Sequence, residues 1–449
     1  MYKFFLYILL IFSIANAQTI NFEKALAATL ENSKKIKQQK INIEQKNSDL
    51  KKIKSFSYGN VNLIHEASRT NHAGYVFNYK LSSREASFKD FGFSEFGGPI
   101  DTQPFDLNQP ENRNNFTTKV TYNIPLFTGF KLSNQKDMIS LQKKIEKTIL
   151  NKNIKDLSYE VLKAYNNAVV AKEYIKAIKK AKEVTNIFEI TANEFYKEGL
   201  VTKIDKKQAK VYSLNIQSKL TQAKNNYELA LAYLSFLTSI EKIEDIQGLK
   251  TYNNSLNPTN SYEKALKNRD DIKIITLANQ INKKNIALNK AAYYPNIYTH
   301  LEYGVNDDRV NFSSEKDYYL AMIGIKFPLF DPAREYEFQK SKLEYQKSLL
   351  QKQELEDAIK LELKKATLNL QAKEKLLKEK KEAKVLAYEV LEQSKQMYKN
   401  QLIAMSELLK QEAIYRENEA AFILAKYEHS LAQGKLNLAI GNNINGESK

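Results

Sequence analysis

Four histidines, His65, His72, His300 and His429, are the side chains best suited to metal binding or proton transfer in this chain. They stand too far apart to form any metal-ligand spacing. The chain has no cysteine, which removes thiolate metal sites, nucleophilic thiols and disulfides together. It holds no Gly-rich phosphate loop and no serine elbow, and His429 falls at a position where packing in a helical seam is the better reading. The expectation is a protein without catalytic residues, metal or cofactor, so function must come from shape.

The shape is written twice. Glu23-Lys24-Ala25-Leu26 returns as Glu263-Lys264-Ala265-Leu266, and Pro125-Leu126-Phe127 returns as Pro328-Leu329-Phe330. Tyr196-Lys197-Glu198-Gly199-Leu200-Val201 returns as Tyr398-Lys399-Asn400-Gln401-Leu402-Ile403. Landmarks kept in one order mean that a whole supersecondary unit is duplicated. The separation between copies shrinks by about 37 residues between the first two landmarks, so one loop is longer in the first copy. Such a chain is built for pseudo-symmetry, which a symmetric assembly can use.

Residues 20 to about 57 read as a helix. The period then changes: Gly59, Val61 and Leu63 alternate with Asn60, Asn62 and Ile64, and a loop-rich stretch runs from about Glu66 to Asn115. Next, Phe116, Thr118, Val120, Tyr122 and Ile124 form one face of a strand, with Thr117, Lys119, Thr121 and Asn123 on the other. The second copy places Tyr319, Ala321, Ile323, Ile325 and Phe327 on the equivalent face, opposite Tyr318, Leu320, Met322 and Lys326. About ten residues of alternating polarity fit the wall of a membrane barrel, and equally a half-buried strand of a soluble sheet. Two hairpins give four strands, too few to close a barrel, so closure would require several chains.

After each Pro-Leu-Phe the period becomes helical. From about Phe130 to Lys197 there is neither Pro nor Gly, a run that at about 1.5 Å per residue reaches on the order of 100 Å. Leu150, Ile154, Leu157, Val161, Ala164, Ala168, Ala171, Ile175 and Ile178 make a heptad seam in it. The second copy answers with Ile359, Leu363, Ala366, Leu370 and Leu377, interrupted by Lys373. Beyond the turns, Leu220, Ala223, Tyr227, Ala230, Leu234 and Leu237 are matched by Phe422, Ala425, His429, Ala432, Leu436 and Ala439. Helix pattern alone would suit an antiparallel coiled coil; the flanking strands argue for more.

With 43% hydrophobic and 27% charged residues the chain is not a disordered polymer. Lys3, the apolar run from Phe4 to Ile14, and Ala15-Asn16-Ala17 have the order of a secretory signal peptide over 1–17, so the mature chain should begin near Gln18. The organisation expected is a first repeat over 18–246, a polar linker over 247–260 with Gly248 and Pro258, a second repeat over 261–442, and a tail over 443–449. The net charge of +17 comes from Lys-rich helix faces spread along the chain without a focus, and an exported protein rarely meets nucleic acid, so no nucleic-acid partner is expected.

Taken together, the leader, the tandem repeat, the paired strands and the long helical hairpins turning at Gly-Leu-Val resemble the TolC family of bacterial outer-membrane efflux proteins, over essentially the whole mature chain. Pro125 to Gly129 and Pro328 to Asp331 resemble its strand-to-helix junctions, and Tyr196 to Asp205 its periplasmic tip. The first loop, with Tyr75-Val76-Phe77 and Lys80-Leu81, resembles the long external loop of one branch of the family.

The resemblance implies a mainly α chain with a membrane β-barrel portion: a homotrimer in which four strands per chain build a 12-stranded β-barrel and long helical hairpins build an α-barrel. It implies a passive exit duct in the outer membrane, extending into the periplasm, that serves a tripartite efflux pump or type I secretion system. A periplasmic adaptor (membrane fusion) protein and an inner-membrane transporter would be its partners, and outer-membrane lipid its surroundings. Phe116, Val120, Tyr122, Ile124, Tyr319, Ile323, Ile325 and Phe327 would face that lipid. Asp205 and Glu407 align with family acids that narrow the periplasmic entrance, although a further family acid is Lys410 here. As first-turn acids they would also suit a helix N-terminus. Gly199, Leu200, Val201, Leu402 and Ile403 would dock the adaptor. Gln401 stands where the first copy has Gly199, so the second tip should close without a free left-handed residue or by another geometry. A periplasmic adaptor or an exported structural coiled coil are the competing readings.

Overall fold

A computed structural model describes residues 18–251 and 261–444. In chain order the elements are β1 (Gln18–Ile20), α1 (Phe22–Asn32), α2 (Lys34–Ser55), β2 (Asn60–Thr70), α3 (Ala73–Ser82), α4 (Phe105–Asn108), β3 (Arg113–Thr128) and α5 (Lys131–Lys197). There follow α6 (Lys203–Thr238), β4 (Ile243–Ile246), α7 (Ser261–Asn268), α8 (Asp270–Lys290), β5 (Asn296–Asp307), β6 (Asp317–Lys326), α9 (Pro332–Lys399) and α10 (Met405–Ile440). The signal-peptide reading of 1–17 falls outside the described residues, as do 252–260 of the expected linker and 445–449 of the tail.

The duplication is visible in the lengths. α5 and α9 have 67 and 68 residues, and α6 and α10 have 36 each. The extra length of the first copy lies between β2 and β3, where residues 71–112 answer residues 308–316 between β5 and β6.

Two compact units divide the chain, a sheet unit of Glu44–Lys144 and Leu277–Leu349 and a helical unit holding the other described residues. In the helical unit, α1 starts because Asn21 caps it, its side chain accepting from Lys24 N at 2.8 Å, and Phe22, Ala25, Leu26 and Thr29 then fall on one buried face. The expected single helix from residue 20 is corrected at two points. Gln18–Ile20 is a strand, paired in parallel with β4, and the helix breaks at Ser33 between α1 and α2.

On α5 the predicted seam residues Leu157, Val161, Ala164, Ala168 and Ile178 are buried, and so is an adjoining row of Leu162, Tyr165, Asn166 and Val169. The second row exists because α5 has neighbours on two sides. Tyr165 meets Phe22 edge-on at 5.8 Å, while Asn166 donates to Ser430 of α10 at 2.8 Å. Asn166 also accepts from Lys250 N at 3.1 Å, and Ser430 donates to Lys250 O at 2.6 Å, which holds the start of the segment after β4 against the helices. In the second copy Ile359, Leu363 and Ala366 are buried as the seam predicts, and Lys373 is accommodated by Glu428 of α10 at 2.8 Å.

In the sheet unit, β2, β3, β5 and β6 form one antiparallel sheet in that order, with β2 and β6 at the edges. The predicted loop from Glu66 is corrected: β2 continues to Thr70, which pairs with Arg113, and α3 and α4 lie within the remainder. Cross-strand pairing supplies the ladder that this polar end of β2 does not announce locally. The first Pro-Leu-Phe lies inside β3 at an irregularity between Pro125 and Phe127, whereas the second follows β6. The turns into the helices differ accordingly. Gly129 and Phe130 are both left-handed before α5, while Asp331 caps α9 through the Ala333 N–H at 3.1 Å.

Candidate functional site

The register sorts the sheet into two faces, because residues paired across strands point the same way. One face carries the rows Leu63–Val120–Tyr303–Tyr319 and Val61–Tyr122–Leu301–Ala321, then Ile124–Thr299–Ile323 and Ile297–Ile325. The other carries Asn60–Asn123–His300–Met322, Asn62–Thr121–Glu302–Leu320 and Ile64–Lys119–Gly304–Tyr318, with Glu66–Thr117–Asn306 beyond them. Seven of the eight strand residues singled out from sequence fall on the first face, and Phe327 lies just past β6. Val120, Tyr319, Ile323, Ile325 and Phe327 are exposed, Phe116, Tyr122 and Ile124 partly so.

The second face is a hydrogen-bonded polar network. Glu302 accepts from the Tyr318 hydroxyl at 2.6 Å and pairs with Lys119 at 3.3 Å, and His300 Nδ1 lies 2.7 Å from Asn123 Oδ1. The sheet is thus mainly apolar on one side and mainly polar on the other, and both its edges are unpaired among the described residues. Near its end Glu85, Asp307 and Asp308 approach one another closely enough to share an ion. Lys316 reaches both Glu85 and Asp307, the latter at 2.7 Å, and Arg113 pairs with Glu85, so two of the three carboxylates already have cationic partners.

In the helical unit the two tips close alike. Leu200 N donates to Phe195 O and Leu402 N to Met397 O, both at 2.8 Å, the pattern of a helix ending on a left-handed residue. Leu200 and Leu402 are 49% and 68% exposed, whereas Ile403 packs against the tip core of Phe188, Leu391, Tyr398, Met405, Leu408 and Leu409. The expectation of a different second turn is corrected, since Gln401 itself is left-handed.

Asp205 forms a capping box with Thr202, accepting from Thr202 N at 3.0 Å while Thr202 Oγ1 accepts from Asp205 N at 3.3 Å. Ala404 offers α10 no such cap, and Glu407 in its first turn accepts from Gln411 at 2.6 Å and pairs with Lys410 at 3.6 Å. Lys410 is thus the counter-charge of the neighbouring acid. Among the described residues the buried Tyr398 hydroxyl has no hydrogen-bond partner, and burial together with the charge of Asp205 pushes its pKa up to about 12.

One buried charged cluster escaped sequence reasoning. Glu412 of α10 is 1% exposed, accepts from the Tyr212 hydroxyl of α6, and lies 3.6 Å from Arg416. Burial raises the Glu412 pKa, and Tyr212 and Arg416 oppose that rise. Glu412 and Arg416 sit one turn apart at interior positions, the available signal for an intrahelical pair.

Residues 261–442 match the family described as outer membrane efflux protein. No curated protein matches the chain by sequence. Among solved structures the chain is similar to CusC (13% identity, 94% of this chain and 92% of that chain, TM-score 0.78). It is similar to the CmeC outer membrane channel of Campylobacter jejuni (15% identity, 94% and 85%, TM-score 0.76). It is likewise similar to the outer membrane protein VceC of Vibrio cholerae (14% identity, 94% and 96%, TM-score 0.76).

Proposed function

From the premise that this chain has the TolC-family fold and that its second repeat matches the outer membrane efflux proteins, we infer that it is the passive outer-membrane exit duct of a tripartite efflux pump or type I secretion system. Three copies each give β2, β3, β5 and β6 to one 12-stranded barrel, and their helices continue as an α-barrel in the periplasm. The observation that carries this reading is the two-faced sheet with two unpaired edges. In lipid each unpaired backbone group costs several kcal/mol, so such a sheet must close, and four strands close only with copies of themselves. With β2 and β6 running in opposite directions, the edge of one copy suits the edge of the next as a further antiparallel pair.

The apolar face, with Phe116, Val120, Tyr122, Ile124, Tyr319, Ile323 and Ile325 and with Phe327 below, meets the acyl chains, and the network around Glu302 lines the lumen. Transport then breaks no bond. An inner-membrane transporter supplies the energy, and a periplasmic adaptor joins it to the tips at Gly199, Leu200, Val201, Leu402 and Ile403. Asp205 and Glu407 act at the periplasmic entrance, where rings of like charge select and narrow a pore. The leader over 1–17 directs export, and the two repeats over 18–246 and 261–442 are the structural units.

Fractionation tests the reading. The protein should remain in the outer membrane and run as a trimer that heating converts to monomer. A monomer soluble without detergent would end it.

A further inference from the structure

The two copies of the repeat bond alike within themselves and unlike at their outer faces. Equivalent positions are spaced as Leu200 and Leu402 are. At that spacing, the Tyr233 hydroxyl of α6, which donates to Glu160 of α5 at 3.2 Å, is matched by Lys435 of α10 on Glu362 of α9 at 2.9 Å. Each hairpin is thus closed in the same way. The hairpins also meet each other, because α10 lies on α5. Asn166 donates to Ser430 at 2.8 Å, Lys426 pairs with Glu173 at 3.0 Å, and a Cβ on Gly434 would come within 2.5 Å of Leu162. Leu431 packs on the core that holds Leu162. The matching positions on α6 and α9 are open. Leu229 and Phe236, which answer Leu431 and Leu438, are 61% and 77% exposed, and Leu361 and Leu368, which answer Tyr159 and Asn166, are 55% and 51% exposed.

The contact already made inside the chain identifies what covers these residues. The face of α6 has the place in its repeat that α10 uses against α5, and the face of α9 has the place that α5 uses against α10. Each is therefore shaped for the other, and since both are exposed at once they do not cover each other within the chain. A second copy supplies each with its complement. We propose that α6 of one copy seats on α9 of the next, as α10 seats on α5 within the chain, with Leu229, Ala232 and Phe236 against Leu361 and Leu368. The proposal rests on the trimeric duct above. Such a contact joins two different faces, so it passes from copy to copy until a ring closes. It also differs from its counterpart in one respect that an experiment can reach. Lys426 and Glu173 pair within the chain, but their equivalents are Lys224 and Lys375, two like charges that the new seam brings face to face.

Charge reversal tests the seam. Lys375→Glu sets an acid opposite Lys224 and should raise the temperature at which the detergent-solubilised trimer dissociates by a few degrees. Lys224→Glu should do the same from the other side. The double variant places two acids together and should fall back to the wild-type value, a reversal that independent surface charges do not give. Cross-linking tests the seam by position. The chain has no cysteine, so E228C and L368C, at the equivalents of Ser430 and Asn166, add the only thiols. Trimers carrying both and treated with a short bismaleimide should give linked dimers and trimers on denaturing gels, while either single variant runs as monomer. Absence of linked bands in material that light scattering shows to be trimeric, or single charge shifts that add in the double variant, would overturn the seam and leave the duct standing. A link formed inside one chain, seen as a faster-running monomer, would overturn it as well. Material that is not trimeric would remove both readings.

Discussion

Gln401 repeats the backbone of Gly199. Their φ values are +59° and +73°, and each donates its N–H three residues back, to Tyr398 O at 3.0 Å and to Tyr196 O at 3.1 Å. The two hairpins therefore turn by one geometry although only one has the residue that adopts it without strain. A Cβ at Gly199 would meet nothing within 4 Å, so any difference between the turns is conformational rather than steric.

Gln401→Gly should accordingly stabilise the second hairpin by about 1 kcal/mol, the usual order of the left-handed penalty for a residue with a Cβ. Gly199→Gln should cost a similar amount. Thermal unfolding of the detergent-solubilised protein, compared for both variants, checks the symmetry of the effect.

At the tips, Leu200 and Leu402 are exposed apolar side chains, whereas Ile403 already serves the tip core. Leu200→Asp combined with Leu402→Asp should reduce export to the level of a deletion strain while the heat-sensitive trimer persists. Unchanged export would remove the docking role from these two residues.

Burial holds Glu412 above its ordinary 4.5, so the folded chain binds that proton more tightly than the unfolded chain does. The resulting stabilisation is full below the unfolded value and is lost as pH rises through the raised one. Glu412→Gln removes the titration. The Tm of the variant minus that of wild type should therefore increase from pH 4 to pH 8, and a difference flat with pH would contradict the assignment.

Gly59 precedes β2 with φ +74°, and a Cβ there would lie 2.0 Å from the Asn123 carbonyl oxygen. Both the backbone strain and the clash fall on main chain that cannot rotate away. Gly59→Ala should cost on the order of 3 kcal/mol and lower the yield of assembled trimer, measured as the heat-sensitive band.

The repeat was legible because periodicity is local: which side chains share a face of a helix or strand depends only on spacing along the chain. The seam at Leu157, Val161 and Ala164, the alternation from Phe116 to Ile124, and the turns after Lys197 and Lys399 all follow from that. Partner choice is not local. The pairing of Gln18–Ile20 with Ile243–Ile246, the second buried row at Leu162 and Tyr165, and the continuation of β2 to Thr70 depend on segments brought together from afar.

The same division runs through the site. Sequence alone determined that Asp205 and Glu407 open their helices and that Leu200 and Leu402 stand at the turns. Only the tertiary structure decided that Gln401 is left-handed, that Lys410 pairs with Glu407, that Tyr212 and Glu412 meet across helices, and that Tyr79 of the first loop meets Ser68 of β2. Each of those outcomes is set by contacts whose energy neither participant carries by itself, and a pattern read one residue after another contains no term for them.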